Sequence, residues 1–95
     1  MPGQNVLTDQ LIADVLDAAS GLDVVEKRDA LVAAAQAAVS LDGVNARKVL
    51  DAARLACLAA EGTTTVQMLS RLAQSAYQLE ERERREAEAA AAAAA

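Results

Sequence analysis

Side chains able to do chemistry are few in this chain, and they stand far apart. There is no histidine, which removes the commonest acid/base near neutral pH and with it any His-based triad or zinc site. Asp14 and Asp17 share one face of a helix and supply at most part of a cation site; two carboxylates on a solvated helix are ordinarily surface charge. Cys57 lies at helical spacing from Ala53 and Ala60. A mid-helix thiol with no neighbouring base reads as a small, inert, buried side chain. Tyr77, the single aromatic residue, reads as a core or interface anchor. No glycine-rich phosphate loop occurs. The expectation is a chain that is not an enzyme and holds no metal or cofactor.

One stretch has the outline of DNA chemistry. A helix, a turn holding Gly43, and a helix that opens with Asn45 and carries Arg47, Lys48 and Arg54 resemble a helix-turn-helix in layout. In that alternative those four residues contact DNA and the last helix dimerises. Any αα-corner with a glycine turn satisfies the pattern, however, and Asp42 and Asp51 surround the would-be reading surface with negative charge. The net charge of −5 also counts against a partner made of phosphates.

The elements that position these residues are helical throughout. Leu11, Ile12, Val15, Leu16 and Ala19 recur at helical spacing, so a first helix is expected over 8–20, capped by Thr8 after a short Met1–Val6 arm and stopped by Ser20-Gly21. A second is expected over 24–41, opened by an Asp23/Glu26 capping box and small nearly all round. A third is expected over 45–61, capped by Asn45 and closed by Gly62. Val49, Leu50, Ala53 and Cys57 line its inner face, widened by Leu55 and Leu58. A fourth starts near Thr65 with a Thr64/Gln67 capping box. Its stripe is Val66, Leu69, Leu72, Ala73, Ala76 and Leu79, with Ser75 on the opposite side.

The fourth helix does not stop where its apolar stripe does. Residues 80–88 are Glu and Arg with one alanine, and 89–95 are all alanine; these are strong helix formers with no core of their own. Glu80–Arg84 and Glu81–Arg85 stand in the favoured i,i+4 order. The expected fold class is therefore all-α: a small four-helix bundle-like domain with a long C-terminal helix reaching beyond the core. Residues 1–79 would form the domain and 80–95 an interaction arm.

Composition points the same way. Alanine occupies 25 positions and rings only one, so helices approach through small faces and each contact buries little apolar area. Oligomerisation is the natural source of the missing burial. Residues 1–62 carry nine acidic and five basic side chains, net −4, and 63–95 carry five and four, net −1. There is no apolar run long enough to span a bilayer and no leader pattern, which leads to the expectation of a cytoplasmic protein, or one inside a particle assembled there. The functional expectation is a non-enzymatic assembly module, partnered by itself or by another subunit of a larger structure. Leu69, Leu72, Ala76, Tyr77, Leu79, Glu80, Glu83, Arg84, Ala87 and Ala91 are its expected contact residues.

Overall fold

A computed structural model describes residues 2–60 and 62–94. It is all-α: α1 (Pro2–Ala19), α2 (Val25–Ala38), α3 (Gly43–Ala60) and α4 (Thr63–Ala94), with no strand among the described residues. Glu61 and Ala95, both expected to be helical, lie outside the described residues, as does Met1 of the expected arm.

The helices run alternately up and down. α1 and α2 form an antiparallel hairpin in which Asp17 reaches Lys27. α2 and α4 run in the same direction, since Val32 and Gln36 lie near Arg71 and Ser75 while Val39 lies near Arg82. α1 packs on α2 and α3, and α4 packs on α2 and α3, but α1 and α4 do not meet. The result is two triangles of helices sharing the α2–α3 edge, rather than a closed square bundle. α2 and α3 each touch all three other helices, α2 through Leu31, Ala34, Ala35 and Ala38.

Seven of the eighteen described core residues are alanine, so the axes are held close and the larger aliphatics are sparse. Leu31, Met68, Val15, Val49 and Cys57 are the largest side chains wholly withdrawn from water. Burial pushes the Cys57 thiol up, in keeping with an unreactive packing role.

Four helix starts differ from those read in the sequence, and each has a local cause. α1 begins at Pro2, not at an N-cap Thr8, because proline presets the helical φ and lacks an amide that a first turn would leave unpaired anyway. Thr8 is therefore inside the helix and buried. α2 is preceded by Val24 in extended conformation with no side-chain cap: the turn closed by Val24 N–H to the Gly21 carbonyl places Asp23 one residue too early. It ends at Ala38, where Ser40 Oγ donates to the Ala37 carbonyl. α3 begins at Gly43, and its capping residue is Asp42, whose Oδ1 accepts the Asn45 amide at 3.0 Å. α4 begins at Thr63, after Gly62 at φ +131, so Thr64 sits in its first turn.

The buried row of α4 is also rotated from the expected stripe. It runs Thr65, Met68, Leu72, Ser75, Leu79, at alternating spacings of three and four. Ser75 is in and Val66 is out, at 66% exposed, because the alanine-faced neighbours admit a hydroxyl-sized side chain more readily than they reach around to a valine on the far side. Ala73 is exposed too. Leu16, Leu55 and Leu58 likewise point to solvent.

Candidate interaction surface

α4 is anchored to the bundle for two-thirds of its length and then leaves it. Beyond Leu79 the buried row continues three residues on to Arg82, whose guanidinium donates to the Val39 carbonyl at the C-terminal end of α2. That carbonyl belongs to the last turn of a helix, where the chain has no amide to offer, and a cation there also suits the helix dipole. One residue later, Glu83 pairs with Arg47 of α3. The bond raises the Arg47 pKa, first through the hydrogen bond and then through the charge of Glu83. Gly43 makes room for this pair: a Cβ there would lie 2.9 Å from Glu83 Oε2. Bundle contacts thus extend to Glu83.

From Arg84 onward every described residue is exposed. At 1.5 Å per residue α4 is about 48 Å long, matching the 51 Å long axis of the whole molecule. The overhang is held helical by its own ion pairs, Arg84 to Glu81 at 2.7 Å and Arg82 to Glu86 at 3.5 Å, and by alanine propensity.

The residues expected to bind a partner divide into two groups. Leu72 and Leu79 are buried, Leu69 and Ala76 partly so, and Glu83 is engaged by Arg47; these attach α4 to its own bundle. Tyr77, Glu80, Arg84, Ala87 and Ala91 are exposed, with Tyr77 at 62%, so the ring is no part of the core. These five share one side of α4, away from Arg82. The sequence reading missed Arg82 as an anchor, although its place in the three-four row after Leu79 is a usable signal.

Of the residues of the helix-turn-helix alternative, Arg47, Lys48 and Arg54 are exposed on α3 and Asn45 is not. Asn45 is buried, with its Nδ2 donating to Asp42 Oδ2 at 2.7 Å. Arg47 is taken up by Glu83, while Lys48 and Arg54 stand exposed on α3. Of the two α1 carboxylates considered for a cation, Asp17 pairs with Lys27 at 2.9 Å and Asp14 is exposed. No cluster of three or more metal-ligating side chains occurs among the described residues. No described helix is long and apolar enough to cross a membrane.

The Asp42 cap carries a pH dependence with a definite sign. Its carboxyl is held below the ordinary aspartate range, chiefly by the Asn45 amide and then by the Asn45 side chain. A depressed folded-state pKa contributes stability at neutral pH that disappears as pH falls through the folded value, below about 4. Urea midpoints of wild type and Asp42→Ala are therefore expected to differ at pH 7, with wild type higher, and to converge as acid protonates the carboxylate. A gap that stays constant with pH would show that the carboxylate form is not what caps α3.

No family model, no curated protein and no solved structure matches this chain, so its surfaces are the only guide to what it does.

Proposed function

We propose that this protein is a non-enzymatic assembly module that associates with copies of itself through α4. The observation that carries the reading is the form of that helix: anchored by Met68, Leu72, Leu79 and Arg82, then continuing as an exposed, charged and alanine-rich arm. A helix stabilised in water over eleven further residues, with no intramolecular contact to reward its length, is suited to contact between molecules. The ring-free, alanine-rich core supports the same reading, since a chain this small gains little burial alone. Its setting would be intracellular or within a larger particle. A DNA-binding role for Asn45, Arg47, Lys48 and Arg54 is the weaker alternative, because two of the four are already bonded within the chain.

The test is amide hydrogen exchange of residues 87–94 at low and high protein concentration. Self-assembly predicts that exchange slows as concentration rises while the bundle amides stay unchanged. Exchange independent of concentration would contradict it.

A further inference from the structure

We propose that the free face of α4 pairs with the same face of a second copy, antiparallel and in a single register. The inference rests on the assembly reading above and adds to it the orientation and the contacts.

Tyr77, Glu80, Arg84 and Ala87, extended by Ala73 and Ala91, recur at alternating spacings of three and four and form one line along α4. All six are exposed. Turned end over end about a point level with Arg82, this line superposes on itself. Glu80 then meets Arg84, Tyr77 meets Ala87, and Ala73 meets Ala91, each twice in the dimer. Arg82 itself is on the other side of the helix, bonded to Val39, and takes no part.

The charges select this arrangement. Arg47 feels the charge of Glu80 but bonds Glu83 instead, which leaves the exposed Glu80 carboxylate able to take a second partner. Arg84 contacts Glu81 through Nη2 at 2.7 Å and, with five N–H donors, has others to spare. A parallel pairing sets Glu80 against Glu80 and Arg84 against Arg84. Sliding an antiparallel pair by one heptad sets Glu80 against Ala91 or Tyr77, and both ion pairs vanish. Sizes agree with charges: the tyrosine ring, the only large side chain on the line, faces alanine. In this seating each overhang lies along the bundle-borne half of its partner, covering the depression of about 470 Å³ beside Ser70, Ala73 and Tyr77.

The contact is small. From Ala73 to Ala91 the helix face is about 27 Å long and about 10 Å wide, and offers roughly 270 Å² per subunit, against about 800 Å² in a standard interface. The dimer is thus weak and concentration-dependent, and its exposed ion pairs set the register more than they drive association.

The experiment is disulfide trapping at exposed positions, with buried Cys57 left in place as an unreactive thiol. Ala73→Cys and Ala91→Cys are oxidised separately and as an equimolar mixture. The antiparallel register predicts a covalent dimer joining position 73 to position 91 in the mixture, at least about tenfold above either variant alone, because only that pair brings the two sulfurs within bonding range. Dimers formed equally well by each variant alone would show a parallel pair and overturn the proposal. Light scattering on the same unoxidised samples separates the two levels. A dimeric mass without the 73–91 bond overturns the register while leaving assembly standing; a monomeric mass overturns both. A second arm uses Glu80→Arg and Arg84→Glu. Each alone is expected to weaken dimerisation about tenfold, and their mixture to restore it.

Discussion

Replacing Leu31 by alanine is expected to lower the unfolding free energy by about 2–5 kcal/mol. Leu31 is fully buried on α2, which like α3 touches all three other helices, so a hole opened there sits on the edge shared by both helix triangles. Its core neighbours on α2 are Ala34, Ala35 and Ala38, side chains too short to swing into the space. The cavity therefore persists, and the cost falls toward the upper part of the range. Against a total stability of about 5–15 kcal/mol for a domain of this class, urea unfolding followed by helical circular dichroism will show a large fall in midpoint with an unchanged slope. A loss below about 1 kcal/mol would mean that the surrounding helices collapse into the space Leu31 leaves.

The opposite change, Ala53→Leu, is expected to cost about 1–3 kcal/mol for the converse reason. Ala53 is fully buried on α3, which packs on α1, α2 and α4. Three added carbons would force those helices apart, and the alanine faces around them lose contact on every side. Leucine is otherwise as good a helix former as any but alanine, so intrinsic propensity does not obscure the reading. The same urea measurement checks it; a stabilised Ala53→Leu variant would show spare volume where the fold has none. The pair of results would establish that small size in this core is a requirement rather than a dilution.

The number and order of helices were legible because Ser20-Gly21, Gly43 and Gly62 punctuate strong helical periodicity. The starts were less so. Pro2 reads as a breaker until it is seen as a first helical residue, and Asp42 competes with Asn45 for the same cap, three residues apart. The face of α4 was misjudged by one position because Val66 is more apolar than Thr65 and Ser75, yet burial followed the row set by Met68, Leu72 and Leu79. Which side a row faces depends on neighbours far along the chain, and single-helix periodicity does not contain them. The same holds for Leu16, Leu55 and Leu58, which are exposed. Of the expected contact residues, spacing alone could not separate those that bind the chain to itself from those left free. The split became visible only once Arg82 met Val39 and Glu83 met Arg47.

Assembly through the α4 overhang is tested most directly by the absolute solution mass of residues 1–95 beside residues 1–85, by light scattering over a concentration series. The shorter chain keeps Arg82 and Glu83, and with them every contact α4 makes with its bundle. The full chain is expected to move from monomer toward dimer as concentration rises, and the shorter one to remain monomeric with its thermal unfolding unchanged. Identical masses at every concentration would contradict the proposal that the arm is the contact.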